Sequence, residues 1–242
     1  MREVTLITGA GRGIGLEIAN LFSSKRHDLI LVIRKKKQTK DIIQKIGKRN
    51  NNLNILVGDL TNKRFLTKIF KTVPYVNNLI NNASGENQKH FLKVSSSDLE
   101  KIVQLNIKTN FLLSQHFAKR MVTKKIKGNI INISSQLGHF GAYDRTLYCM
   151  AKFATEGLTK SMAMDLGNYG IRVNSVSPTK TIVHDKEKKE SKRLKNIRNK
   201  IPLKKFSTTS EIANIVYFLT TKHAASITGT SIVSDGGWTA GK

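Results

Sequence analysis

The chain is poor in cysteine, in acidic residues and in long apolar runs, and each shortage excludes something. Cys149 is the single cysteine, so no intrachain disulfide can form. That suits a reducing cytoplasm, the expected location. No apolar stretch approaches the roughly 18–20 residues that a membrane-spanning helix needs. Strand-forming residues begin at the third position, which leaves no room for a cleaved leader. No linker, repeat or break in composition divides the 242 residues, so one large α/β domain (1–242) with a well-buried core is expected. His139 and His184 lack partners at metal-ligand spacing, and no metal is expected.

The shortage of acids leaves 16 Asp and Glu against 42 Lys and Arg, a net charge of +26. Such a charge attracts nucleic acid, anionic membranes or an acidic carrier. The basic residues are mostly lysines scattered through the chain, and Asn and Ile are abundant too. Compositional bias on tolerant surfaces accounts for this pattern better than a dedicated binding face does. The charge still raises the local concentration of anionic ligands.

What is present is a regular alternation of two patterns. Short apolar runs such as Leu29-Ile-Leu-Val-Ile33 predict strands at about 3–8, 28–34, 53–57, 77–81, 128–134, 171–176 and 230–234. Apolar positions at helical spacing predict helices at about 13–25, 39–49, 62–72, 98–123, 146–168, 185–199 and 209–221. Strands that are apolar throughout are covered on both faces, which predicts a doubly wound parallel sheet in a three-layer α/β/α Rossmann fold. Ligands of such sheets bind at the carboxyl ends of the strands.

The first strand runs into Gly9-Ala-Gly11-Arg12-Gly13-Ile14-Gly15 and then a helix. This order suits a dinucleotide pyrophosphate, because glycines allow close backbone approach and free N–H groups favour negative charge. Tyr148 and Lys152 lie four apart and so share a helix face. An ammonium roughly 4 Å from a phenol contributes about 4 kcal/mol, or roughly three pKa units, and would bring Tyr148 toward neutrality. Cys149 has no neighbouring base and is read as a packing residue.

With these motifs in register the chain resembles the short-chain dehydrogenase/reductases over nearly its whole length. The resemblance rests on Thr8-Gly-Ala-Gly-Arg-Gly-Ile-Gly15, Asn81-Asn82-Ala83, Asn106, Ser135, Tyr148-x-x-x-Lys152 and Asp235-Gly-Gly237. It implies a catalytic set of Asn106, Ser135, Tyr148 and Lys152. Tyr148 would exchange the proton with the substrate oxygen. Lys152 would lower the tyrosine pKa and hold the nicotinamide ribose. Ser135 would bond the carbonyl or alcohol, and Asn106 would bend its helix and support a water relay.

The resemblance also implies contacts to the cofactor from Gly9, Gly11, Arg12, Gly13, Ile14, Gly15, Arg34, Lys35, Asp59, Leu60, Asn82, Ala83, Tyr148, Lys152, Pro178 and Thr181. Asp59 would hold the adenine amine, a role the match favours over a cap for the helix from Asn62. NAD-preferring relatives carry an acid after the second strand. Here that strand ends Arg34-Lys-Lys-Lys37, which favours NADP(H) over NAD(H). Ser84 and Thr179 stand where the family commonly has glycine.

Residues 180–205 correspond to a substrate lid and carry eleven Lys and Arg. They read either as a solvated basic helix or as a site for an anionic substrate, with Lys188, Lys189, Lys192 and Arg193 as its contacts. The substrate reading is a sugar or polyol derivative, with a 3-oxoacyl thioester on a carrier protein as alternative. A dinucleotide sensor or nucleic-acid-binding protein without turnover is the rival from another class, against which the complete catalytic set argues. The family's habit of pairing helices 98–123 and 146–168 implies a homotetramer or dimer.

Overall fold

Residues 2–47, 52–182 and 191–241 are described by the computed structural model. The apolar runs form β1 (Val4–Thr8), β2 (Asp28–Ile33), β3 (Leu53–Val57), β4 (Asn78–Asn81), β5 (Asn129–Ile133), β6 (Arg172–Pro178), β7 (Thr181–Ile182), β8 (Ser207–Thr208) and β9 (Ser231–Ser234). Seven of them make one sheet in the order β3-β2-β1-β4-β5-β6-β9, parallel throughout. The chain winds outward from β1 through β2 and β3, then returns to β4 on the other side of β1. That reversal opens a crevice at the carboxyl ends of β1 and β4.

Helices cover both faces, as apolar parallel strands require. They are α1 (Gly13–Ser24), α2 (Gln38–Ile42), α3 (Lys63–Thr72), α4 (Ser96–Ile102), α5 (Asn110–Thr123), α6 (Thr146–Leu166), α7 (Lys192–Asn199) and α8 (Thr209–Thr220). On one face Ile18 and Phe22 of α1 and Ile212 and Val216 of α8 pack on Ile7, Leu31 and Ile131. On the other, Leu66, Leu113, Phe117 and Ala163 from α3, α5 and α6 pack on Leu6, Val32 and Leu79. Neighbours Leu6 and Ile7 enter opposite layers because successive strand side chains alternate.

Two pairs of buried asparagines pin the register in the middle of the sheet. Asn129 donates to Asn78 at 2.7 Å and Asn81 to Asn132 at 3.0 Å, each pair directly opposed on β4 and β5. A one-residue slip would leave these amides buried without partners. Helix starts follow local chemistry. Ser95 with Asp98, and Thr208 with Glu211, form capping boxes at α4 and α8.

The structure departs from the sequence reading in four places. The helix expected over 98–123 is α4 and α5 joined by a π-helical stretch, Val103–Thr109. Within it, the Thr109 hydroxyl donates to the Gln104 carbonyl five residues back at 2.8 Å. The helix expected over 39–49 is α2 followed by a π turn, Ile43–Gly47, and its last two residues lie outside the described ones. The helix expected over 185–199 is described from Lys192, capped by Ser191. Residues 183–190 lie outside the described residues, and with them His184, Lys188 and Lys189 of the expected lid. The β7–β8 pair was not foreseen, since two residues carry no readable period.

Candidate functional site

Three segments meet at the crevice. The glycine turn leaves β1 with Gly9 at φ +65° and Gly13 at φ +55°, conformations that cost a side-chain-bearing residue strain. A Cβ on Gly15 would collide with the Gly9 carbonyl and the Asn82 amide, so the turn packs against itself where only hydrogen fits. Thr8 and Asn82 hold this turn to the end of β4. The Thr8 hydroxyl accepts the N–H groups of Asn82 and Ala83, each at 3.0 Å. The Asn82 amide donates to the carbonyls of Thr8 at 2.9 Å and Gly9 at 3.2 Å.

Arg12 precedes α1 in extended geometry, and no side chain caps the helix. The first-turn N–H groups, including those of Ile14 and Gly15, therefore lack a side-chain acceptor. An uncapped helix start behind a glycine turn fits a pyrophosphate. Arg12 is exposed beside it. At Gly11 the Gln38 side chain occupies the space that a Cβ would take.

At the end of β2, Arg34 and Lys35 are both exposed. The Arg34 guanidinium pairs with the Asp59 carboxylate at 3.4 Å across the ends of β2 and β3. Asp59 also accepts from the Thr61 hydroxyl at 2.7 Å and its N–H at 2.9 Å, and these bonds hold its pKa below the usual carboxylate range. The cap of α3 is Asn62, which accepts from Arg64 and Phe65, so the capping role weighed for Asp59 is not the one it has. Leu60, among the expected cofactor contacts, turns its side chain into the core and is 6% exposed.

Tyr148 and Lys152 lie one turn apart on α6, as the spacing predicts. The Lys152 ammonium donates to the Ile133 carbonyl at 2.9 Å and sits 5.5 Å from the centre of the Tyr148 ring. The expected lowering of the tyrosine pKa is not found in this arrangement. Burial pushes Tyr148 up to about 12, opposed by a hydrogen bond with Ser135. Burial lowers Lys152 to about 8, opposed by the charges of Glu156 and Glu86. The correction has a plain cause: the ammonium is spent on a main-chain carbonyl, and desolvation outweighs what remains.

Ser135 follows β5, and its hydroxyl accepts from the Leu137 N–H at 3.2 Å. Asn106 lies in the π-helical stretch and clamps Gly85 from both sides: its oxygen accepts the Gly85 N–H at 2.8 Å, and its amide donates to the Gly85 carbonyl at 2.9 Å. The side chain is thus committed to holding the loop after β4. Ser84 is exposed, so its extra side chain is easily accommodated. Pro178 ends β6 opposite Ser234. Thr181 begins β7 and donates to the Thr179 carbonyl at 3.1 Å, while Thr179 itself is buried.

Two participants were missed from sequence. Thr8 was quoted only as part of a motif, yet its hydroxyl joins the glycine turn to β4. Glu156, four residues beyond Lys152, is buried and receives three hydroxyl donors from two other elements, β6 and β9. Its signal was the continued spacing of four along α6, together with the alternate serines 175 and 177. Among the described residues no group of His, Cys, Asp or Glu is arranged to hold a metal, and no helix is long and apolar enough to cross a membrane.

Comparison with known proteins places the chain among close structural relatives. The family described as Enoyl-(Acyl carrier protein) reductase matches residues 9–239. A 3-oxoacyl-(acyl-carrier-protein) reductase of Aquifex aeolicus is 34% identical over 246 residues, covering 97% of this chain and 96% of the relative. An L-xylulose reductase of Caenorhabditis elegans is 30% identical over 243 residues, covering 96% and 94%. The solved structure of 4-hydroxyisoleucine dehydrogenase complexed with NADH superposes with a TM-score of 0.90 at 30% identity, covering 100% of both chains.

Proposed function

Since the chain belongs to the short-chain dehydrogenase/reductase family, whose members act on CH–OH groups and carbonyls, we propose that it is an NADP(H)-dependent oxidoreductase interconverting a carbonyl and a secondary alcohol on a sugar or polyol derivative. One observation carries the reading: Ser135, Tyr148 and Lys152 sit together at the strand ends.

The first turn of α1, with Gly9, Gly11, Gly13, Ile14 and Gly15, would hold the pyrophosphate. Asn82, Ala83, Leu60 through its main chain, Pro178 and Thr181 would line the path of the dinucleotide, and Asp59 would receive the adenine amine. Hydride is the chemistry that the nicotinamide supplies when bound. Tyr148, kept protonated far above neutral pH by its burial, is the proton donor to a carbonyl oxygen. The Ser135 hydroxyl, already bonded to the phenol, orients that same oxygen. Lys152 adds positive charge behind the phenol, and Asn106 keeps the loop at Gly85 in place.

The preference for NADP(H) is supported by the run Arg34-Lys35 and by Arg12, with no acid at the end of β2. The NADH-bound relative defines the alternative cofactor. The substrate reading is supported by Thr179 after Pro178 and by the likeness to the L-xylulose reductase. The likeness to the carrier-protein reductase supports a 3-oxoacyl thioester as second reading. The basic residues of the expected lid, Lys192 among the described ones, would favour an anionic group on the substrate. Exposed Phe111, Met150 and Phe153 on α5 and α6 support pairing of these helices between subunits, as a tetramer or dimer.

The test is NADPH consumption by the purified protein against keto-sugars and acetoacetyl thioesters, with Tyr148→Phe alongside. Turnover of keto-sugars that the substitution abolishes, with NADPH binding retained, is expected. Turnover of thioesters alone would transfer the substrate to the second reading. No turnover, with salt-sensitive duplex binding, would replace the enzyme by the sensor.

A further inference from the structure

Tyr148, Lys152 and Glu156 continue one line along α6 at spacings of four, and Lys152 and Glu156 are both buried, at 4% and 6% exposure. A carboxylate this deep is costly without partners. Glu156 has them on every side. It accepts from the hydroxyls of Ser175 at 2.7 Å and Ser177 at 2.8 Å on β6, and of Ser231 at 3.3 Å on β9. The Nε2 of His139, in the turn after Ser135, lies 3.5 Å from the same carboxylate. An ionised carboxylate only accepts hydrogen bonds, and all of these neighbours can donate.

Among the described residues, His139 is the basic side chain that pairs with Glu156. Two lysines lie one turn from it on its own helix, Lys152 behind and Lys160 ahead; Lys160 is exposed, and Lys152 is buried. Lys152 has lost most of its hydration and, among the described residues, donates to a neutral carbonyl, that of Ile133. The charged groups acting on that ammonium are Glu156 on α6 and Glu86 in the loop after β4. Glu86 is exposed and engaged by Arg145 at 3.3 Å, so screening weakens it.

We propose that Glu156, held by Ser175, Ser177, Ser231 and His139, is a positioning residue that keeps the buried Lys152 protonated at neutral pH. The inference rests on the oxidoreductase reading only for its catalytic consequence. The four-residue catalytic set is thereby extended by a buried counter-charge, reached through the lysine and touching neither substrate nor cofactor. Burial agrees in direction: it lowers Lys152 to about 8, and Glu156 is the larger of the two charges opposing that loss.

Lys152 is titrated directly by the ¹³Cε shift of isotopically labelled lysine in the full chain, assigned with Lys152→Arg. Removing a charge one helical turn away through protein should lower the midpoint by on the order of one pH unit in Glu156→Gln. Glu156→Asp, which keeps the charge, should titrate close to the wild type. In parallel, the alkaline limb of the kcat/KM profile for carbonyl reduction should move down by the same amount in Glu156→Gln alone, roughly a fivefold loss against wild type one unit above the new midpoint.

If Glu156→Gln does not fold, Glu156→Met serves, because Ser177 and Ser231 lie 2.9 Å apart and can bond each other. Coincident titrations in wild type and neutral variant would overturn the proposal, whatever the activity. A shifted titration in a protein that turns over no carbonyl would uphold it and sink the oxidoreductase reading instead.

Discussion

Lys152 sits where a charge is costly, and replacing it with methionine should make the protein more stable while stopping its chemistry. The ammonium is 4% exposed and its pKa falls from 10.5 to about 8 on folding, chiefly by burial. At about 1.4 kcal/mol per unit, carrying that charge into the folded state costs roughly 3 kcal/mol at neutral pH. Methionine, similar in length and neutral, removes the cost. It also leaves the Ile133 carbonyl without its donor, which returns about 1–2 kcal/mol. The net gain at pH 7 is about 1–2 kcal/mol, or roughly 2–8 °C in Tm for a chain of this size.

The dependence on pH gives the sharper test. Below about pH 8 lysine is protonated in both folded and unfolded chains, and the cost is constant. Between about 8 and 10.5 the folded chain has released a proton that the unfolded chain still holds, so wild-type stability rises with pH. By pH 10.5 the wild type should have recovered about 3 kcal/mol relative to Lys152→Met, and the order of stabilities reverses. Tyr148 weakens both proteins alike above pH 10, so it cancels in the comparison. Guanidinium unfolding of the two proteins at matched concentration, at pH 7 and pH 10.5, measures the gap. A gap of the same size and sign at both would refute the argument that burial sets the lysine's pKa.

Other substitutions separate the parts of the site. Gly15→Ala should abolish dinucleotide binding measured by fluorescence, since its methyl meets the Gly9 carbonyl and Asn82 in a turn with no slack. Arg34→Ala should weaken NADPH binding by about tenfold while leaving NADH within about twofold, as expected for loss of one exposed charge-assisted phosphate contact; equal losses for both would assign Arg34 to orienting Asp59 instead. Asn106→Ala should cost about 1–3 kcal/mol in denaturant unfolding, because it leaves the N–H and carbonyl of half-buried Gly85 without this partner. It should also lower kcat through a loosened loop after β4.

The layers, the parallel sheet and the placing of the candidate residues at strand ends were legible in the chain because they depend on period and punctuation. Apolar runs of five or six residues between helical stretches dictate strands covered on both faces, and the glycines between the first strand and helix admit few other uses. Tyr148 and Lys152 share a face through helix geometry alone, before any tertiary contact forms. Helix ends written in side chains, such as Asn62, Ser95 and Thr208, are equally local.

Only the folded arrangement decided where charges and hydrogen bonds go. Spacing brought Lys152 near Tyr148, but the Ile133 carbonyl, nineteen residues away, took its proton donors and burial set both pKa values. Arg34 and Asp59 meet because β2 and β3 are paired, which no local pattern records. The π-helical stretch at Asn106 depends on the carbonyl of Leu60 and the backbone of Gly85, both far off in sequence. Glu156 gathers its donors from β6, β9 and the turn at His139. Period and propensity act over one or two turns of chain, whereas desolvation and pairing act on whatever the sheet order places within a few ångströms.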